Sequence, residues 1–519
     1  MHSILSQSQA RSWYYTYPLH LLLMGLILLS LKACTPPTTA PPKLNELPEL
    51  PEKQLSVHNI GQSERDPLSF VISLTGELRG EIEPCGCPTL PYGGFKRREA
   101  ALNELRQKHT VFHLDAGEML LKGFSTNSRN DKDERAALIL SLIEIVGLDA
   151  WNIGPSDIDV LPPPFEQYEM AVSASFLKES GESLFPPSKI LSRNDITIGI
   201  VGIAAQPTDP SFPYGYRPPE EALAAGLDAL KNEDLDLIAV LSSVNDDQLD
   251  RLIQNQPSAA VVLSTAGSLI DEARHPNDDP SLPLIIETPD RGRYLQNLYV
   301  RLTRHAKHPL DVLGDEQLWR NHLLNPELDS LNTLGAGKNL AYAELDPLNK
   351  RYDAYSESQT HPKIDAFKTT IRQKAEQAAQ QKPTPTEPGY ATAAACARCH
   401  TQEFARWTFS QHTRAWESLI RENQSDNPEC IACHSTAYGE PSGFGELTQS
   451  NILRYKGIQC EACHGPLKGH PNEPHIKPLP ITEARCLGCH DEANSPNFEF
   501  ESYLHRASCQ AMTQAEDSP

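Results

Sequence analysis

The stretch IQCEACHGPLKGH, Ile458–His470, holds two cysteines three positions apart, a histidine directly after the second, and another histidine six residues later. The same C-x-x-C-H order recurs as CARCH from Cys396, CIACH from Cys430 and CLGCH from Cys486. Cysteines at i and i+3 lie on one helical face, and both can form thioethers to the vinyl groups of one porphyrin. The imidazole that follows then reaches the iron as proximal ligand. A disulfide framework does not need a histidine after every pair, and zinc or thiol-redox sites share only the C-x-x-C part.

The four repeats therefore predict four covalently bound haem c groups. Their thioethers would form at Cys396 and Cys399, Cys430 and Cys433, Cys460 and Cys463, and Cys486 and Cys489. His400, His434, His464 and His490 would be the proximal iron ligands. Such a segment has little polypeptide per haem, so the porphyrins must supply much of its core. Short helices carrying each unit, joined by loops with almost no sheet, are expected.

A chain of 519 residues is long enough for two or three domains. Its 39% hydrophobic and 22% charged content is ordinary for a soluble globular protein. A formal net charge of −22 argues against nucleic acid as partner, since that requires basic patches. It also disfavours adsorption to an anionic membrane surface and leaves neutral or cationic partners.

Upstream, PLHLLLMGLILLSLKAC, Pro18–Cys34, is a short apolar run after Arg11 that ends at a cysteine. Its length reads as a signal segment rather than a stable transmembrane helix. It resembles the bacterial lipoprotein signal, which implies lipidation of Cys34; the alternative is a plain membrane anchor with an inert cysteine. Residues 1–34 are then the signal segment and 35–66 a Pro-rich tether. The expected location is the periplasmic side of the cell envelope, and Thr35 after Cys34 favours lipid anchoring at the outer membrane.

Residues from Leu68 to Leu302 alternate short apolar runs (FVISLTG, TVFHLDAGE, AWNIG, ITIGIVGIAA, LDLIAVLSS, AAVVLST) with helical patterns such as ERAALILSLIEIVG and EEALAAGLDALKNE. That alternation predicts an α/β domain with candidate sites at strand ends. GGFKRREAALNEL, FHLDAGEMLLKG, GLDAWNIGPSDID, ITIGIVGIAA and RGRYLQNLYVRL fall in an order that resembles the 5′-nucleotidase-type metallophosphatases. The resemblance implies a four-layer sandwich over 67–305 with a two-metal centre.

The family's metal ligands are largely missing. Glu77-Leu78-Arg79 stands where the family has Asp-x-His, Pro155-Ser156 where it has Asn-His, and Ser243 and Thr265–Gly267 where later histidines fall. Asp115 is kept and Glu118 ends its motif. Serine, proline and glycine do not replace imidazole and carboxylate ligands, so no divalent metal is expected here and the domain reads as a degenerate scaffold. Cys85 and Cys87 follow the first strand beside Lys96, Arg97 and Arg98. They can form a thiolate metal site or a redox pair, or a disulfide with each other or with Cys509, or remain buried thiols. His113 reads as a core histidine on a strand, and His305 and His308 as solvated.

Residues 306–389 read as a helical, polar connector and linker, 390–510 as the haem domain and 511–519 as a tail. The order CARCHTQEFARWTFSQHTRAW, NPECIACHSTAYG, YKGIQCEACHGPLKGH, CLGCH and YLHRASC resembles the tetrahaem cytochrome c-554 family. The resemblance implies a mainly α multihaem domain in which His412, His470 and His505 are distal ligands. His475 has no counterpart in that pattern and reads as an exposed loop histidine. Four proximal and three distal ligands leave one iron five-coordinate, open to a small ligand; if His475 also binds, all four are six-coordinate.

The expected function is electron transfer between periplasmic or envelope redox proteins, with the α/β domain as docking or ligand-binding element. The alternatives are redox chemistry on a small nitrogen or sulfur species at one open haem, or an active phosphoester hydrolase.

Overall fold

In the computed structural model of the chain, the described residues run from Leu68 to Ala507, except 85–90, 121–130, 255–259, 266–272, 277–278, 280, 303–309, 313–338, 382–388, 423, 441, 471, 474, 491–494 and 496. The strands are β1 Leu68–Thr75, β2 Val111–Asp115, β3 Ala150–Asn152, β4 Ala171–Val172, β5 Phe176–Leu177, β6 Ser188–Arg193 and β7 Ile196–Ile203. They continue as β8 Gly215–Tyr216, β9 Leu237–Ser242, β10 Ala260–Ser264, β11 Leu284–Glu287, β12 Tyr294–Leu302, β13 Leu310–Val312 and β14 Asn339–Pro347. Seven form one sheet in the order β13-β14-β12-β1-β2-β3-β4, and five form a second in the order β11-β10-β9-β7-β6. β5 and β8 make a separate pair.

Side-chain alternation explains why two sheets stack. In β1 and β2, Phe70, Ile72, Leu74, Phe112 and Leu114 point one way and meet Ile198, Ile200, Ala239, Leu241, Val261, Leu263 and Ile286 of the second sheet in one dry core. The opposite face of the first sheet carries Trp151 and Leu295 into a second core with helices α1 (Phe95–Arg106) and α2 (Lys132–Val146). The far face of the second sheet packs Val201, Val240 and Val262 against α3 (Pro219–Leu230) and α4 (Asp246–Ile253). Helix, sheet, sheet, helix is the expected four-layer sandwich. Both faces of the inner strands are covered, so their sequences are nearly continuous apolar runs.

The reading of residues 306–389 as a helical connector is corrected. β13 and β14 lie in that span, and β14 pairs antiparallel with β12 from Tyr294↔Pro347 to Arg301↔Leu340. The strand was obscured because only one of its faces is inward: Asn339 and Ala341 are buried, while the rest are half-exposed. α5 (Thr360–Gln381) then crosses back over α1 and α2 and adds Ile364 and Phe367 to their core. Its start is fixed by Glu99 of α1, whose carboxylate accepts from Ser358 Oγ (2.8 Å), Gln359 N (2.9 Å), Thr360 N (3.0 Å) and Thr360 Oγ1 (2.8 Å). Burial alone would raise the Glu99 pKa, but these backbone and hydroxyl donors bring it below the ordinary value.

The remaining segment is built from short helices: α6 Ala393–Cys396, α7 Thr401–Thr408, α8 Ala415–Arg421, α9 Pro428–His434, α10 Gln449–Tyr455, α11 Cys460–His464, α12 Glu483–Leu487 and α13 Phe500–Ala507. Extended pairing among its described residues is limited to the bridges Ser435↔Lys456 and Tyr438↔Phe444. Among the described residues its apolar cluster holds five buried side chains, Trp416, Leu419, Ile431, Phe444 and Tyr455. That is too small a nucleus to hold some hundred residues by itself.

Candidate functional site

Each C-x-x-C-H unit sits on or directly after a helical turn. His400 N donates to Cys396 O at 2.9 Å, and His490 N to Cys486 O at 2.8 Å, so each histidine lies one turn beyond its first cysteine. CIACH and CEACH lie within α9 and α11. All eight cysteines of the four units are free of disulfides.

Two of the four histidines that follow a C-x-x-C pair, His434 and His490, are held by hydrogen bonds through Nδ1. His434 Nδ1 lies 2.7 Å from the Ala415 carbonyl and 3.0 Å from Ser418 Oγ. A carbonyl only accepts, so Nδ1 carries the proton and Nε2 keeps its lone pair for a metal. His490 Nδ1 lies 2.8 Å from Ser495 Oγ, and the ring stacks on Phe498 at 5.4 Å and 8°. His464 differs, with its buried Nδ1 unpartnered, and His400 stands exposed.

The units interlock out of sequence order. Glu461 of the third unit accepts from Ala391 N (2.9 Å), Thr392 N (2.6 Å) and Leu467 N (2.8 Å), while Gln459 Oε1 accepts from Ala393 N at 2.7 Å. First and third units are thereby tied, and the Cys460 thiol beside Cys396 brings the Cys396 pKa down to about 7. Cys430 in the second unit is the contrary case. Burial, then the carboxylates of Glu83 and Glu81, push its thiol up to about 12.

Of the four further histidines, the structure brings His412 to the fourth unit. The His412 and His490 rings are 6.3 Å apart between centres, at 51°. Two imidazoles on one metal are separated by two bonds of about 2.0–2.1 Å plus about 1.1 Å from each nitrogen to its ring centre, or about 6.3 Å in all. Burial, then the neighbouring His490, lowers the His412 pKa and keeps the ring neutral, as a ligand must be. His470 lies near Cys396 and directs Nδ1 to Ile476 O at 3.0 Å. His505 is exposed on α13. The His475 side chain is 76% exposed, 3.7 Å from Glu473, and no iron-facing partner accompanies it among the described residues.

The surface of the segment also suits porphyrin. Five of the six large apolar side chains that stand exposed among the described residues belong to it: Phe409, Ile420, Leu453, Leu479 and Leu487. Such exposure is expected where a bound apolar group completes the core. Donor set, the His434 tautomer and bare apolar surface thus fit covalent haem.

At the strand ends of the α/β domain, the positions singled out from sequence do come together. Glu77 N donates to Gly117 O (2.8 Å), and Arg79 N to Glu118 O (3.2 Å). Thr75 Oγ1 donates to Asp115 at 2.7 Å, and Ser156 Oγ to Glu118. A Cβ on Gly76 would meet Thr265 Cγ2 at 2.9 Å, so this rim is tightly closed. Arg79 forms a 2.6 Å ion pair with Glu77 where the family pattern would need an imidazole ligand. A guanidinium cannot coordinate a cation, so Arg79 cannot take that ligand's place. Asp115 is fully buried and its pKa is raised by that burial.

Sequence reading missed Asp157. Its buried carboxylate accepts from Glu118 N (3.2 Å), Met119 N (2.9 Å), Leu120 N (2.8 Å) and Gly154 N (3.0 Å), stapling two strand-end loops. Burial, then Glu118, raises its pKa to about 8. The signal was its place in the one-turn helix Pro155–Ile158, where an acid caps free amides. Arg97, which the sequence places near Cys85 and Cys87, pairs with Asp353 at 2.6 Å and donates to the Pro91 carbonyl at 2.7 Å. Cys34, Cys85, Cys87, Cys509, His305 and His308 lie outside the described residues, as does any signal or anchor segment. No described helix is long and apolar enough to cross a membrane.

Residues 395–465 match the family model described as Cytochrome c554 and c-prime. A similar curated protein is cytochrome c-554 of Nitrosomonas europaea, 26% identical over an 86-residue alignment that covers 14% of this chain and 36% of that protein. Similar solved structures include a 5′-nucleotidase precursor from Thermus thermophilus, at TM-score 0.44 and 16% identity over 61% of each chain. Another is the sulfate thiohydrolase SoxB of the same organism with glycerol, at TM-score 0.42 and 12% identity over 60% of this chain and 61% of that one. The chain spans less than two thirds of each of these relatives. It carries a cytochrome c554-like segment at residues 395–465, joined to an α/β region whose solved neighbours include a 5′-nucleotidase.

Proposed function

We propose that this protein is an exported tetrahaem c-type cytochrome that carries electrons between redox proteins of the cell envelope. The observation that carries the reading is the set of four C-x-x-C-H turns whose histidines His434 and His490 are held through Nδ1. Bound haem c supplies one-electron chemistry at iron. The chain's own part is to fix each Nε2, to cover the ring faces with Phe409, Ile420, Leu453, Leu479 and Leu487, and to bring the attachment points into contact. Cys396, Cys399, Cys430, Cys433, Cys460, Cys463, Cys486 and Cys489 would hold the haems, and His400, His434, His464 and His490 the irons. The 6.3 Å ring pair supports His412 as distal ligand at the fourth haem, and the nearness of His470 to Cys396 supports a distal role at the first or third. His505 would cap another.

The exposure of His475 supports a second reading, that one iron keeps an open position for a small nitrogen or sulfur species. The α/β domain would dock a partner or bind a ligand without hydrolysis, supported by the Arg79–Glu77 pair in its rim. Cys34 would carry the lipid, on the periplasmic side of the outer membrane.

The test is haem quantitation on holoprotein matured in a host that attaches haem c, with paramagnetic resonance and phosphate release from nucleotides. Four haems per chain, at most one of them high-spin, and no metal-dependent phosphate release are expected. Fewer haems, or robust hydrolysis, would overturn the reading.

A further inference from the structure

The second attachment unit packs against α5 of the α/β domain. α9, which carries Cys430, Cys433 and His434, is entered through Asn427, whose carbonyl accepts from Ile431 N at 3.0 Å. Asn427 Nδ2 donates to Glu83 Oε2 at 3.1 Å, and Glu83 belongs to the loop after β1. Lys368 of α5 places its ammonium 3.3 Å from Glu83 Oε1 and 3.9 Å from Asp426 Oδ1. The Lys368 and Glu83 side chains are only 12% and 18% exposed, so solvent screens this corner weakly. A small depression lined by Ile82, Phe367 and Pro428 borders it. The corner sets the carboxylates of Glu83 and Asp426 against the Lys368 ammonium, one turn from the sulfur that would bear the porphyrin, with Glu81 adding negative charge nearby.

We propose that Glu83 is a potential-setting residue for the haem of the second unit: the α/β domain places a fixed negative charge, locked by Lys368 and Asn427, at that haem's attachment edge. The fold thereby gives the large domain a part in electron transfer beyond docking. A carboxylate near an iron centre stabilises the oxidised, more positive form. Removing it leaves Lys368 less compensated, and both changes act in the same direction. The proposal rests on the tetrahaem reading above.

The experiment is a spectroelectrochemical titration of the full-length holoprotein, wild type against Glu83→Gln and Glu83→Asp. His434→Met identifies the transition that belongs to the second haem. In Glu83→Gln that transition alone moves to more positive potential, by about three- to tenfold in its equilibrium with a fixed mediator, a tenfold change being about 59 mV for one electron. Glu83→Asp keeps the charge and stays near wild type. Four unchanged transitions, or a uniform displacement of all four, overturn the proposal. A wild-type sample lacking haem at Cys430 and Cys433 shows a low haem count before any titration, and then it is the tetrahaem reading that fails.

Discussion

His412→Ala probes the ring pair most directly. His412 and His490 stand 6.3 Å apart between ring centres, the separation that two imidazoles have across one metal. The substitution deletes one of the two rings and leaves the Nδ1–Ser495 contact of the other intact. If His475 remains outside the coordination shell, the wild-type protein has one iron with an open position and binds one carbon monoxide per four haems when reduced. His412→Ala raises that count to two, and a second high-spin signal grows in the ferric spectrum. Added imidazole reverses both changes, because the vacated space has the shape of the lost ring. The new signal is absent when Cys486 and Cys489 are also replaced by alanine, which removes the fourth attachment. His475→Ala leaves the count at one. An unchanged count in His412→Ala refutes the assignment from ring spacing, and a rise in His475→Ala refutes the reading of His475 as an exposed loop histidine.

Glu99→Ala removes four acceptor contacts at the start of α5 and leaves the buried Thr360 amide unpaired. A loss of about 2–3 kcal/mol in denaturant titration is expected, followed by circular dichroism, and Glu99→Asp recovers little because its reach is shorter. Asp157 has a folded pKa of about 8 against an unfolded value of about 4, so the native state holds a proton that the unfolded chain releases. Its contribution to stability is full below about pH 4 and is lost as the pH rises through about 8. Thermal midpoints of the holoprotein across that window should fall, and Glu118→Gln should flatten the fall by removing the neighbouring charge.

How much of this was legible in sequence depends on how local the signal is. C-x-x-C-H is a contact between residues one helical turn apart, so the four units could be read without any tertiary knowledge. The inner strands were equally plain, since β1, β7 and β9 are buried on both faces and leave apolar runs. β14 was hidden because one of its faces is open to solvent and its polar residues resemble a connector. Asp157 was hidden for a different reason: its four donors come from two loops that meet only when β2 and β3 are paired. The nearness of His412 to His490 joins residues 78 positions apart in the numbering, and Glu83 to Asn427 joins residues 344 apart. No spacing rule reaches that far.

The carboxylate of Glu461 has a consequence for how the chain can be cut. It binds amides just before the first unit and just after the third, while Gly457 N donates to His434 O, Cys433 Sγ donates to Gly488 O and His412 faces His490. Every break between consecutive units therefore severs contacts of units that the break does not adjoin. The four turns fold as one body: a truncated gene encoding two of them would not yield half of it.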